Sequence, residues 1–138
     1  MKLTNTEIQQ IPARVREILL TESGLKLAIL YGSAVGGRMR GDSDVDVAVL
    51  FDRPLDAEQK MTLTSSLEAG LSRSVDLVDL FSLNGTILKQ VLCKGQVLIR
   101  KNAGDFPFLL RRMTYNQADM MPYVSRTLNE RQERFVHG

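Results

Sequence analysis

Residues 44–51 read DVDVAVLF, two carboxylates spaced i, i+2 at the head of a short apolar run. A run this short and this rich in valine is a strand, and side chains alternate across a strand. Asp44 and Asp46 therefore share one face, while Val45, Val47 and Val49 take the other. Ala48 and Leu50 continue the aspartate face as core, so the two acids stand at the strand's entrance with hydrocarbon behind them. Carboxylates opening a strand that otherwise reads as core need a physical reason, and a divalent cation supplies one.

The segments around this strand carry the same logic. Ser74 to Leu80, SVDLVDL, is a further short apolar segment in which Asp76, Val78 and Leu80 share a parity: again an acid precedes two apolar residues. Between the two, Asp52-Arg53-Pro54 is turn chemistry, and Asp56 is placed to cap a helix running to about Leu71 with Met61, Leu67 and Leu71 on its core face. That helix is long enough for a parallel crossover, which puts both strand entrances on one edge of the sheet. Ahead of them, Leu25 to Tyr31 reads as a buried strand able to run antiparallel beside the DVDVAVLF strand. Its exit, Gly32-Ser33, then reaches the edge where Asp44, Asp46 and Asp76 converge.

Three carboxylates this close repel and raise one another's pKa values. One divalent cation, or two about 3.5–4 Å apart, resolves the repulsion in the arrangement used for in-line phosphoryl transfer. Opposite the acids, Gly32 permits close backbone approach. Amide groups of Ser33 and the following helix start, with the Ser33 hydroxyl, suit phosphate oxygens, and Arg38 and Arg40 extend the positive charge. Asp42-Ser43-Asp44 could equally be a turn with Asp44 as its polar residue, the ordinary reading of an isolated Asp-x-Asp. The Gly-Ser pair and the acid on the next strand outweigh that reading.

The rest of the chain supplies the frame. Asn5 to Ile11 reads as a polar lead-in, Pro12 as a helix first turn, and Val15, Ile18 and Leu19 as a stripe ending near Ser23-Gly24. A short helix, Ala34 to Arg40, stops at Gly41. After Asn84-Gly85 comes a helix of about ten residues carrying Ile87, Leu88, Val91 and Leu92; Gly95 then releases a strand, Gln96 to Arg100. Asp105 and Pro107 open a long terminal helix with Leu109, Met113, Met120, Val124 and Leu128 on one face and a kink at Pro122. With no internal repeat or linker, residues 1–138 read as one α/β domain: a small mixed sheet of about four strands flanked by helices.

Composition narrows the chemistry. No apolar run approaches the roughly 20 residues of a membrane span, and no signal-peptide pattern opens the chain. A formal charge of +2 is too small to argue for direct nucleic-acid binding. One histidine and one cysteine leave no zinc site and no histidine-dependent triad, so a metal must be held by carboxylates, which favours magnesium. The single Cys93 fits a reducing cytoplasm and reads as core packing. Asp79 differs in parity from Asp76 and reads as a strand-end charge reaching solvent. Lys94 reads as a helix-end dipole partner, His137 as solvated, and Tyr115 and Tyr123 as stacking candidates on the terminal helix.

Gly32-Ser33, ten residues, then Asp44-Val45-Asp46 resembles the GSx10DxD signature of the DNA polymerase beta-like nucleotidyltransferase superfamily. The flanking Leu30-Tyr31 and Val47-Ala48-Val49 resemble it too, and the small size is similar to that of the minimal nucleotidyltransferases, the MNT proteins, many of which are antitoxins paired with HEPN ribonucleases. The resemblance implies ATP as donor and two Mg2+ ions, with Asp44 and Asp46 matching the first metal ligands and Asp76 the third carboxylate, which activates the acceptor hydroxyl. It also implies transfer of AMP to a tyrosine of a HEPN toxin, within a hetero-oligomer, which silences the toxin. Many relatives carry an arginine three places after the motif serine, where this chain has Gly36; Arg38 is the candidate substitute. No acceptor-binding domain follows the catalytic core, which favours a protein partner as acceptor over a small molecule. Masking of the toxin by binding alone is the non-catalytic alternative.

Overall fold

The computed structural model describes residues 5–36 and 44–120. The elements alternate: α1 (Asn5–Leu19), β1 (Leu25–Tyr31), α2 (Ser33–Gly36), β2 (Val45–Phe51), α3 (Ala57–Leu71), β3 (Val75–Asp79), α4 (Gly85–Lys94), β4 (Gln96–Arg100) and α5 (Asp105–Met120). Four strands form one sheet in the order β3-β2-β1-β4. β1 runs antiparallel to both β2 and β4, and β2 runs parallel to β3 across the α3 crossover. The mixed sheet expected from the sequence is present.

Each face of the sheet has its own core. Val45, Val47 and Val49 pack with Val15 and Leu19 of α1 and Leu63 and Leu67 of α3. Ala48 and Leu50 pack on the other face with Leu27, Ile29 and Tyr31 of β1, Leu88, Val91 and Leu92 of α4 and Leu109 of α5. The chain is thus three layers, helices on both sides of the sheet. β1 is buried on both faces, as its unbroken apolar run requires.

Several local readings are corrected. α1 is already running at Asn5, and Pro12 lies inside it rather than in its first turn. Ile11 is buried in the same stripe as Val15 and Leu19, so the apolar face carries the helix through the proline, which forfeits one backbone bond. The helix also stops at Leu19, short of Ser23-Gly24. In α3 the Asp56 cap is as read, a capping box in which Asp56 accepts from the Gln59 amide and Gln59 accepts from the Asp56 amide. Its core face is Leu63 and Leu67, with Leu71 partly buried, while Met61 is 70% exposed. At about 100° per residue Met61 sits roughly 200° from Leu63, on the opposite side of the helix. Ile87 of α4 is likewise exposed beside the buried Leu88, and Cys93 is exposed instead of packed in the core.

α5 is locked down by one side chain. The Arg112 guanidinium donates to the carbonyls of Leu80, Phe81 and Leu83, closing the loop that follows β3. Met113 packs against the second core, as its helical spacing suggested. Met120 and Tyr115 lie on α5, but their side chains, and the readings for Pro122, Tyr123, Val124, Leu128 and His137, lie outside what is described.

Candidate active site

β1, β2 and β3 bring their ends together at one edge. In the antiparallel pair Tyr31 faces Asp46, and in the parallel pair Asp46 faces Asp76. Tyr31, Asp46 and Asp76 therefore form one row across three strands, on the face of the second core. Asp44 immediately precedes β2, and the Val45 amide donates to the Ser74 carbonyl at 2.9 Å, keying the two entrances together. Asp44 and Asp76 are exposed and Asp46 is partly buried.

Gly32 follows Tyr31 with φ +77, the left-handed region open to glycine. A Cβ there would stand 2.2 Å from Asp46 Oδ2. The backbone conformation favours glycine, and any side chain there would displace the Asp46 carboxylate. Ser33 opens α2, and the Val35 amide donates to the Gly32 carbonyl at 3.1 Å, closing the first turn of that short helix. Gly32, Ser33, Asp44, Asp46 and Asp76 share this edge. Arg38 and Arg40 lie outside the described residues.

The electrostatics record the crowding. Burial pushes the Asp46 carboxyl above its ordinary range, and the charges of Asp76 and then Asp44 push it further. The Tyr31 phenol is pushed up to about 12, first by burial and then by Asp46 and Asp76. Among the described residues, no group of three His, Cys, Asp or Glu side chains is drawn together tightly enough to hold a metal unaided. The donor set still fits a hard divalent ion: such an ion is held by one or two carboxylates and completes its shell with water and substrate phosphates.

Asp79 does not join the site. It lies on the opposite face from Asp76, and its carboxylate accepts from the Leu55 and Phe81 amides, each at 2.9 Å. The expected solvent-facing charge is instead a peg holding the β2–α3 loop to the end of β3. In the sequence Tyr31 reads as the end of a strand and as a flank of the Gly-Ser motif, with no role of its own in the site. The signal for it was the antiparallel register, which sets the residue before Gly32 against the second aspartate of the Asp-x-Asp pair.

Residues 13–104 match the family model for polymerase beta nucleotidyltransferases. The protein adenylyltransferase MntA of Shewanella oneidensis is 33% identical over 93 residues, 67% of each chain. Its counterpart in Thermococcus cleftensis is 37% identical over 90 residues, 65% of this chain and 91% of that one. A crystal structure of a toxin-antitoxin with AMP-PNP superposes with a TM-score of 0.73 at 25% identity, covering 86% of this chain and 96% of that one. The family model and these relatives define a nucleotide-transferring enzyme. The chain belongs to the polymerase beta nucleotidyltransferase family.

Proposed function

We propose that this protein is an adenylyltransferase that moves AMP from ATP to a tyrosine hydroxyl of a HEPN-type toxin and so acts as its antitoxin. The observation that carries the reading is the row Tyr31–Asp46–Asp76 lying beside the Gly32-Ser33 turn. Support for the acceptor comes from the relatives named protein adenylyltransferase and from the similar toxin-antitoxin structure with AMP-PNP.

In this reading the chain works as a single minimal domain in the cytoplasm, a compartment suited to its one free cysteine. Among the described residues no helix is long and apolar enough to cross a membrane. Asp44, Asp46 and Asp76 would hold two Mg2+ ions, which supply Lewis-acid stabilisation of the phosphate charge. Gly32 lets the triphosphate approach the backbone, Ser33 offers its amide and hydroxyl to phosphate oxygens, and Arg38 adds positive charge. The acceptor oxygen attacks the α-phosphorus, the bond to the β-phosphate oxygen breaks, and pyrophosphate leaves. Asp76 receives the acceptor proton.

Incubation with labelled ATP, Mg2+ and the product of the neighbouring gene is expected to label that partner. The Asp44→Asn/Asp46→Asn variant is expected to leave it unlabelled. Equal labelling by the variant would overturn the mechanism. Neutralisation of the toxin that survives loss of both aspartates would favour masking by binding.

A further inference from the structure

We propose that Tyr31 is the positioning residue for Asp46: its ring, one strand over in the same row, fixes the carboxylate against Gly32 and walls the divalent-ion site. The inference rests on the reading of Asp44, Asp46 and Asp76 as the metal-holding set, and it adds a residue that this reading does not contain.

Two observations carry it. Tyr31 and Asp46 are directly paired in the antiparallel register, which places their Cβ atoms about 4.5–5.5 Å apart on one face. Tyr31 is only 8% exposed and belongs to the apolar cluster of that face, so its ring is held by packing beside its neighbour.

Elimination points the same way. Asp46 is partly buried, yet Gly32 beside it has no side chain and Ala48, next on the same face, carries only a methyl. Asp76 is itself an acid, and Val45 and Val47 point to the other core. Tyr31 is the bulky side chain in the row. It supplies the wall that keeps the carboxylate from swinging off Gly32, in the way outer groups orient metal ligands elsewhere.

The test uses Tb3+ as the probe, a hard cation that takes carboxylate oxygens, with tyrosine as its sensitiser. Energy transfer from an excited phenol to bound terbium falls steeply with distance. Tyr31→Phe is expected to bind Tb3+ with unchanged affinity by calorimetry and to lose most of the sensitised emission, although Tyr115 and Tyr123 remain. Tyr31→Leu, which keeps apolar volume without the flat ring, is expected to weaken Tb3+ and Mg2+ binding about tenfold or more. Emission that persists in Tyr31→Phe, or unchanged affinity in a folded Tyr31→Leu, overturns the proposal. Should Tyr31→Leu not fold, the Tyr31→Phe emission decides alone. The Asp44→Asn/Asp46→Asn variant separates the two readings: Tb3+ bound as tightly without both aspartates, or not bound by the wild type, overturns the metal assignment and the Tyr31 role with it. Binding that needs the aspartates but gives no Tyr31-dependent emission overturns the Tyr31 role only.

Discussion

Asp46 Oδ2 occupies the space that a side chain at position 32 would need, 2.2 Å from where its Cβ would stand. The atom in the way is the tip of a side chain, so Gly32→Ala leaves the protein able to fold while Asp46 gives way. The left-handed backbone at φ +77 adds about 1–2 kcal/mol of strain. AMP transfer is expected to fall about 100-fold, the scale of a small misplacement at a reacting centre. Thermal melts alongside the transfer assay check both halves; full activity in Gly32→Ala would show that Asp46 does not need its place over the glycine.

Asp46 also sets a pH dependence. Its carboxyl is raised by burial, then by Asp76 and Asp44, so the folded chain keeps a proton there after the unfolded chain has lost it. Stability of the metal-free protein therefore falls as pH rises from the ordinary carboxylate range through the raised folded value, and the whole penalty is present at neutral pH. Asp46→Asn is expected to melt higher than wild type at neutral pH without metal, to lose that advantage in acid, and to transfer no AMP. Mg2+ is expected to raise the wild-type Tm at neutral pH and leave the variant's unchanged. Melts at two pH values, with and without Mg2+, decide it.

Asp79 offers the complementary case. Its carboxylate takes two backbone amides, Leu55 and Phe81, on the face away from Asp76. Asp79→Ala leaves both without their acceptor and is expected to lower stability by about 1–3 kcal/mol. Because Asp79 does not face the row of acids, transfer per folded molecule is expected to stay near wild type. Denaturant melts and the transfer assay separate the two effects, and a selective loss of activity would place Asp79 in the site.

α3 supplies a control on the core. Leu67 is fully buried and Met61 is 70% exposed. Leu67→Ala is expected to cost about 2–5 kcal/mol. Met61→Ala is expected to stay within about 0.5 kcal/mol of wild type. Urea midpoints test the pair, and a Met61→Ala loss as large as that of Leu67→Ala would put the helix in the wrong rotation.

Much of this was legible in the order of residues. Valine against aspartate at period two set both faces of β2, and the two cores divide along that alternation. The Gly-Ser pair and the Asp-x-Asp pair carried the site because each needs a particular residue type: Gly32 for its φ, the aspartates for charge. Misreadings arose where a local signal competed with burial. Pro12 looked like a helix start because proline favours a first turn, but the buried stripe from Ile11 overrode it. Met61 and Cys93 were assigned to the core by residue type, and helical phase put them outside.

The sequence by itself determined the strand parities, the glycine turn and which acids stand at the strand entrances, because these depend on period, backbone freedom and charge within a few residues. Only the tertiary structure decided register: that Tyr31 stands opposite Asp46 and Asp46 opposite Asp76, that Asp79 holds the Leu55 amide, and that Arg112 closes the loop after β3. Such partners lie tens of residues apart, and their pairing is fixed by packing both cores at once, which no local pattern encodes.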